Sequence, residues 1–353
     1  MIDGADPMRK AMMTLGWASG TASWWEGAYG GLGAILMLHR LGGGEASPLG
    51  VNRHLSMEPD FLDRMIGDLK EAGYEFISMD GVLDRLNTPR PGHRRFVCLT
   101  LDDGYRDNLE AGLPLFRKHQ VPFAVYVAPG LVDGSAVLWW EVVERLVSSC
   151  SRITLPGRNG NHPIPCHSVA LKRKAYFALL RHFTEEIGEE EQMGVLQELC
   201  ATHGMEWSTA AAHDIMGWDE IRRIAADPLC TIGAHSVNHY HLRRLAPDVA
   251  FDEMVRSAEI LQEKLGKRPE HLAYPYGYAD AAGLREAGMA EKIGFASAVT
   301  SRHGTIHPDH AQHRHALPRI SLNGRYQRPR YVRAMISGFT TPLANGGQRV
   351  VTV

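Results

Sequence analysis

The chain alternates short hydrophobic runs with longer stretches in which hydrophobic positions recur every three or four residues. The short runs are rich in β-branched and aromatic residues, which favours strands, whereas the longer periodicity favours amphipathic helices. In Pro59–Ala72, for example, Phe61, Met65, Ile66 and Leu69 fall on one helical face. The predicted strands are Ala34–Leu38, Phe96–Leu101, Phe123–Val127, Thr231–Ala234, His271–Tyr274, Phe295–Val299 and Leu317–Ser321.

Helical segments separate most of these strands. Besides Pro59–Ala72, the same periodicity predicts helices over Asn108–His119, Asp248–Leu265 and Asp280–Ile293. Strands that alternate with helices imply βαβ units, and therefore an α/β fold with a parallel sheet or barrel. In such folds the catalytic groups collect where strands end at their carboxyl side.

One stretch, from about 134 to 217, interrupts this alternation and contains no good strand candidate. A loop rich in Gly, Pro, Asn and His (Pro156–His167) precedes two helical runs, Val169–Glu186 and Glu189–Thr202. We interpret the stretch as a helical insertion in a single barrel domain that spans 34–353. A separate small helical lobe is the alternative. Helical extensions are predicted at 1–33 and at about 326–353.

The composition is that of a globular protein with a substantial core, with 44% hydrophobic and 22% charged residues. A net charge of -2 argues against nucleic acid as a partner. The five cysteines are scattered without a CxxC pair, which argues against a disulfide framework and a zinc knuckle. No apolar run is long enough to span a bilayer, and no signal peptide is recognisable, so we expect a cytoplasmic protein. The oligomeric state stays open.

Two adjacent carboxylates follow the second strand in the motif Thr100-Leu101-Asp102-Asp103-Gly104. Neighbouring side chains on a strand point apart, so both face one site only where the strand ends and bends, and Gly104 permits that bend. One carboxylate would then bind a metal while the other acts as a base. Taken alone, the motif is better explained as a surface turn, and only the strand before it and the motifs downstream favour the catalytic interpretation.

A pair of histidines, His235 and His239, follows the predicted strand Thr231–Ala234. On a helical turn this HxxxH spacing places both imidazoles on one face, which suits a single ion. Because the chain has 18 histidines, the spacing alone is as consistent with chance. Two histidines and a carboxylate with an open position are typical of hydrolytic zinc sites.

A third motif, Ala273-Tyr274-Pro275-Tyr276-Gly277-Tyr278, ends another predicted strand. Its backbone N–H groups suit an oxyanion hole, and its aromatic rings suit a sugar groove. An ordinary aromatic turn is the alternative.

Together, TLDDG, HSVNH and AYPYG resemble the polysaccharide deacetylase family (the NodB-homology domain of carbohydrate esterase family 4). Met37-Leu38-His39-Arg40 and Leu317-Pro318-Arg319-Ile320 resemble the opening and closing strands of its MYHRV-type branch. The resemblance runs from about Leu36 to Ser321, without the insertion, and implies a distorted (β/α) barrel.

The resemblance implies a role for each matched residue. Asp102 falls on the general base, and Asp103, His235 and His239 fall on the metal ligands. The backbone N–H of Tyr276 falls on the donor that stabilises the oxyanion. One divalent ion is implied, for which Asp-His-His ligation suits Zn²⁺, with Co²⁺, Ni²⁺ or Mn²⁺ as substitutes.

The sequence departs from the family pattern in two places. The arginine that usually holds the base aspartate is replaced by Ala273, and we predict that Arg319 pairs with Asp102 instead. A structural ion pair of Arg319 elsewhere is the alternative. The Leu-x-His motif of the general acid is also missing. His39, at the end of the first strand, is a candidate acid, whereas we interpret the histidines that crowd the loop before Arg319 as solvated: His303, His307, His310, His313 and His315.

Two further aromatic residues are candidate substrate contacts. Tyr105 follows the Asp-Asp-Gly bend, and Trp140 lies at the start of a helical run, where a core position is the alternative.

The sequence therefore predicts a metal-dependent hydrolase that removes N-acetyl groups from a sugar in an oligosaccharide, polysaccharide or carrier-linked form. Two alternatives remain at this stage. One is an amidase or deformylase of the same fold with a non-polysaccharide substrate, and the other is a carbohydrate-binding pseudoenzyme.

Overall fold

The computed structural model describes residues 6–42, 48–90, 92–155, 162–207 and 214–353. Twelve strands occur in these ranges: β1 Gly33–Leu38, β2 Arg40–Leu41, β3 Ser56–Met57, β4 Glu75–Phe76, β5 Phe96–Leu101, β6 Phe123–Val127, β7 Arg152–Leu155, β8 His162–Pro165, β9 Cys230–Ala234, β10 His271–Ala273, β11 Ser297–Val299 and β12 Ile320–Ser321. All seven predicted strands are present, although those near Phe295 and Leu317 are shorter than expected.

Eight strands form one parallel sheet in the order β11-β10-β9-β6-β5-β1-β12, with β4 beside the start of β5. The sheet curls, and its ends meet where Leu317, just before β12, forms a bridge with Val299 of β11. The predicted distorted (β/α) barrel is therefore confirmed. Every residue of β1, β5 and β6 is buried, which explains why these strands are continuous hydrophobic runs.

Helices surround the sheet and bury their apolar faces against it. Pro59–Glu71 contributes Phe61, Leu62, Met65, Ile66 and Leu69 to the main core, as the periodicity predicts. The α-helices are Asp6–Ala18, Thr21–Tyr29, Pro59–Glu71, Met79–Asn87, Leu113–His119, Pro129–Asp133, Trp139–Ser149, Val169–Arg181, Gln192–Thr202, Trp218–Ala225, Pro247–Leu265, Leu284–Ile293, Pro329–Ile336 and Thr341–Ala344. Within the described ranges, none is long and apolar enough to cross a membrane.

The stretch predicted as an insertion has a hydrophobic cluster of its own. Its three helices bury Val143, Leu179 and Leu196 in this cluster, which also takes in Leu49 and Val51. The buried carboxylate of Glu144 accepts a hydrogen bond from the Leu49 N–H at 2.8 Å. The insertion is thus attached to the loop before β3. The domain boundaries stay a prediction.

The prediction that this stretch contains no strand was wrong. Strands β7 and β8 form an antiparallel hairpin, and residues 156–161 of the predicted loop lie outside the described residues. Pro163 and Pro165 obscure the β8 signal, because proline removes a backbone donor. A two-stranded hairpin tolerates both prolines, since each strand has one unpaired edge.

Candidate active site

The carboxyl ends of β5 and β9 bring together a carboxylate and two imidazoles. Ligand atoms of Asp103, His235 and His239 all lie within 4.8 Å of one another, and all three residues are buried. The Nε2 atoms of His235 and His239 are 3.5 and 3.2 Å from the Oδ1 atom of Asp103. A single small cation between these atoms would contact all three side chains.

The donor set fits a divalent metal ion. The Oδ1 atom of Asp103 is buried and accepts no hydrogen bond from any residue in the described ranges. A buried carboxylate oxygen without a partner is costly unless a cation compensates it. Two neutral imidazoles and one carboxylate are also a typical zinc ligand set.

A hydrogen bond on the side of the ring away from Asp103 fixes the orientation of the His235 imidazole. Its Nδ1 atom donates to the carbonyl oxygen of Ala273 at 2.7 Å, which leaves the Nε2 lone pair directed at Asp103. A hydrogen bond of this kind selects the tautomer that a metal ligand needs. Ala273, the position where the usual arginine is absent, therefore contributes its carbonyl group to the site.

Unusual backbone conformations shape the turns that carry the ligands. Among the described non-glycine residues with positive φ, Asp103, Ser236, His239 and Tyr276 lie in the three motifs, at φ values between 54° and 72°. Such conformations are strained for residues with a Cβ and concentrate at functional sites. The prediction that HxxxH forms a helical turn was wrong, because left-handed φ angles at Ser236 and His239 break the helix.

The histidine turn is held by Glu253, which the sequence analysis missed. Its Oε2 atom accepts hydrogen bonds from the backbone N–H groups of Val237 and Asn238, both at 2.9 Å. Its Oε1 atom accepts from Asn238 Nδ2 at 2.6 Å. Glu253 lies on the buried face of the helix Pro247–Leu265. A charged residue at a position that the periodicity assigns to the core was the available signal.

We expect Glu253→Gln to lower metal affinity by about 10–100-fold, since it weakens the support of the turn between both histidine ligands. Isothermal titration of the metal-free protein with Zn²⁺ measures this change. Glu259→Gln, at an exposed position on the same helix, is the matched control and should bind as the wild type does. Equal affinity in both variants would show that Glu253 has no influence on the ligands.

Asp102 lies next to the cluster and forms an ion pair with Arg319. The Nη1 and Nη2 atoms of Arg319 each donate to one carboxylate oxygen, both at 2.7 Å. Arg319 Nε donates to the carbonyl oxygen of Thr300 at 2.9 Å, and Nη1 also contacts Thr100 Oγ1 at 3.2 Å. The guanidinium is 1% exposed and lies over the Tyr126 ring. Parallel bonds of this kind fix the plane of the carboxylate.

The ion pair keeps Asp102 ionised. Burial alone raises the pKa of the Asp102 carboxyl group, but the charge of Arg319 and its hydrogen bonds to the carboxylate outweigh this effect, so that the pKa lies below its ordinary value. At neutral pH, Asp102 is therefore an unprotonated carboxylate beside the three candidate ligands.

Aromatic rings form one wall of the site. Trp140 packs against His239 with ring centroids 5.4 Å apart and against Tyr276 at 6.0 Å. Its indole Nε1 atom is buried and has no hydrogen-bond partner in the described chain. Trp139, which the sequence analysis did not assign, donates from Nε1 to the Tyr276 hydroxyl at 3.1 Å. The first helix of the predicted insertion thus contributes to the site.

The other two predicted site residues occupy different environments. Tyr105 is fully buried, and its hydroxyl donates to Glu141 Oε1 at 2.9 Å, so its side chain is not presented to a substrate groove. This burial argues against the predicted substrate contact and favours a role in packing. His39 is half-buried and follows directly after β1, whose last residue Leu38 pairs with Leu101 of β5, so His39 lies at the same edge of the sheet as Asp102.

Two of the five loop histidines are not solvated. His307 and His310 are buried, contrary to the interpretation of these residues as surface residues. His310 Nε2 contacts the Val351 carbonyl oxygen at 3.1 Å, and His307 Nε2 contacts Thr305 Oγ1 at 3.2 Å. The C-terminal segment therefore covers part of this loop, which periodicity in the sequence does not reveal.

Comparison with known proteins identifies the family. The sequence model of the polysaccharide deacetylase family matches residues 90–292, more than half of the chain. The chain belongs to the polysaccharide deacetylase family. It is accordingly a hydrolase of amide bonds that deacetylates a carbohydrate, and its predicted membership is confirmed. The assignment to the MYHRV-type branch stays a prediction. No curated protein sequence matches the chain.

Solved deacetylase structures share the fold. The deacetylase PplD of Streptococcus pyogenes in complex with acetate has a TM-score of 0.53 and 18% identity, covering 86% of this chain and 97% of that chain. IcaB from Ammonifex degensii has a TM-score of 0.53 and 16% identity, covering 86% of this chain and 96% of that chain. BC0361, a polysaccharide deacetylase from Bacillus cereus, has a TM-score of 0.53 and 13% identity, covering 86% of this chain and 68% of that chain.

Proposed function

We propose that this deacetylase removes the acetyl group from an N-acetylhexosamine and that it requires one divalent metal ion. The sugar belongs to an oligosaccharide, a polysaccharide or a carrier-linked form. The observation that carries the proposal is the buried cluster of Asp103, His235 and His239 around a carboxylate oxygen without a partner. Zn²⁺ fits these ligands best, and Co²⁺, Ni²⁺ or Mn²⁺ also suit them.

Asp102 is the proposed general base. A divalent ion held by Asp103, His235 and His239 would polarise the acetyl carbonyl group and lower the pKa of a water molecule. Asp102 accepts the proton of the attacking water, because its carboxylate is ionised and held in one plane by Arg319. Arg319 itself is a positioning residue, since both of its terminal nitrogens are directed at Asp102.

Two groups complete the reaction. The backbone N–H of Tyr276 makes no hydrogen bond to another residue of the described ranges, so it is available to stabilise the oxyanion. His39 protonates the departing amine, because it is a half-buried imidazole at the same edge of the sheet as Asp102. The products are acetate and the free amino sugar. Trp140 and Tyr276 are proposed to contact the sugar ring.

The test combines metal analysis with acetate release from N-acetylglucosamine oligomers. The wild type should bind about one Zn²⁺ per chain and release acetate. His235→Ala should lose both properties, because it removes one of three ligands. His313→Ala, which changes an exposed histidine of the loop, should retain both.

Two results would contradict the proposal. Wild-type protein that releases acetate without any metal would exclude the proposed metal dependence. Hydrolysis of small non-sugar amides with no activity on acetylated sugars would exclude the proposed substrate class. The cytoplasmic location is a separate prediction, which these assays do not test.

A further inference from the structure

The first two helices expose an unusual amount of hydrophobic surface. Met8, Leu15, Trp17 and Trp24 are 61%, 68%, 43% and 75% exposed. They make up half of the large exposed hydrophobic side chains in the described residues, the others being Val169, Tyr278, Leu284 and Leu343. Single exposed hydrophobic residues are ordinary, whereas a cluster of them marks an interaction surface.

The helix Asp6–Ala18 has two hydrophobic faces. Met13 and Gly16 are buried, and a Cβ atom at Gly16 would lie 2.7 Å from the Phe339 ring, so this face packs closely on the C-terminal helices. On the opposite face, Met8, Ala11, Leu15 and Ala18 follow one another at helical spacing, and all four are exposed. We call these four residues, together with Trp17 and Trp24, the N-terminal apolar surface.

The chain next to this surface is strongly cationic. Residues 325–333, which lead into the helix Pro329–Ile336 and form its first turn, contain no Asp or Glu but four arginines: Arg325, Arg328, Arg330 and Arg333. The helix Pro329–Ile336 packs directly on Asp6–Ala18, and Lys10 Nζ lies 5.6 Å from the centre of the Tyr326 ring. The exposed Arg328 therefore belongs to a basic segment beside the N-terminal apolar surface.

We propose that the N-terminal apolar surface binds the surface of a lipid bilayer that contains anionic lipids. A helix with an exposed apolar face, tryptophan and neighbouring cations is typical of segments that lie in the membrane interface. Anionic headgroups compensate the charge of the arginines. A second copy of the chain fits less well, because a symmetric dimer would bring the same cationic segments close to each other.

Co-sedimentation with vesicles tests the proposal. The wild type should bind vesicles of phosphatidylglycerol and phosphatidylcholine more strongly than vesicles of phosphatidylcholine alone. Leu15→Glu should lower the partition coefficient by about tenfold or more, because it replaces the exposed leucine that would insert into the membrane interface with a charged residue. Arg328→Gln should lower binding to the anionic vesicles by about fivefold and leave binding to neutral vesicles unchanged.

Leu284→Glu is the matched control, since Leu284 is 78% exposed but lies on the helix Leu284–Ile293, outside the N-terminal apolar surface. It should bind vesicles as the wild type does. Acetate release from a soluble oligomer should be the same for Leu15→Glu and the wild type, so the result is independent of the proposed reaction. Equal vesicle binding by Leu15→Glu and wild type overturns the proposal. So does a wild-type dimer that Leu15→Glu dissociates, if neither protein binds vesicles.

Discussion

Replacing Asp102 with asparagine is expected to lower kcat for acetate release by about 10²–10⁴-fold, while the protein keeps its metal ion. The substitution removes the proposed proton acceptor but leaves Asp103, His235 and His239 in place. It also leaves Arg319 buried beside a neutral amide, so the variant should be less stable than the wild type. Activity is therefore best measured at low temperature, with circular dichroism to establish the folded fraction.

Metal content separates the possible reasons for a loss of activity. Folded Asp102→Asn protein that contains metal and has no activity would support the role of Asp102 as base. If the variant loses its metal as His235→Ala is expected to, Asp102 contributes to metal binding. Wild-type activity in the folded variant would exclude Asp102 as the base.

Arg319→Met is expected to lower the free energy of unfolding by about 3–5 kcal/mol, because it leaves the Asp102 carboxylate buried without a counter-ion. Both side chains are almost completely inaccessible to solvent, and each terminal nitrogen of Arg319 lies 2.7 Å from one carboxylate oxygen of Asp102. Urea denaturation monitored by tryptophan fluorescence measures the change. Arg319→Lys should restore part of the stability through its charge, but less of the activity, because an ammonium group cannot form the two parallel hydrogen bonds.

Arg349→Met provides the comparison at the surface. Arg349 and Asp309 also form an ion pair, at 3.3 Å, but both side chains are more than half exposed. Loss of this exposed ion pair should lower the free energy of unfolding by about 0–1 kcal/mol. A similarly small cost for Arg319→Met would show that the buried pair contributes little to stability.

The strands and the main helices were predictable because local patterns determine them. Strands β1, β5 and β6 are buried on both faces, so that each appears in the sequence as an uninterrupted hydrophobic run. The short strands were harder to predict. β12 has two residues, and β4 has two residues that are not fully buried, so neither contains a full period of any pattern.

The residues of the candidate site were predictable where they come directly after a strand in the sequence. Asp102, Asp103 and His235 come directly after β5 and β9, and the ion pair between Asp102 and Arg319 is present in the structure. Their catalytic roles stay predictions. Glu253 and Trp139 were missed, because each reaches the site from a helix that is distant in sequence. The left-handed φ angles of Ser236 and His239 have no sequence signal, since neither residue is glycine.

The ion pair between Asp102 and Arg319 also has a consequence for biosynthesis. The two residues are separated by 217 positions, so a ribosome completes Arg319 roughly 10–40 s after Asp102. Until then β1 lacks β12 as a neighbour, and the sheet stays open on that side. Premature termination before this point would release a chain with exposed strand edges and an uncompensated aspartate, which chaperones or proteases would recognise. Protection of the nascent barrel from aggregation thus depends on its last strand.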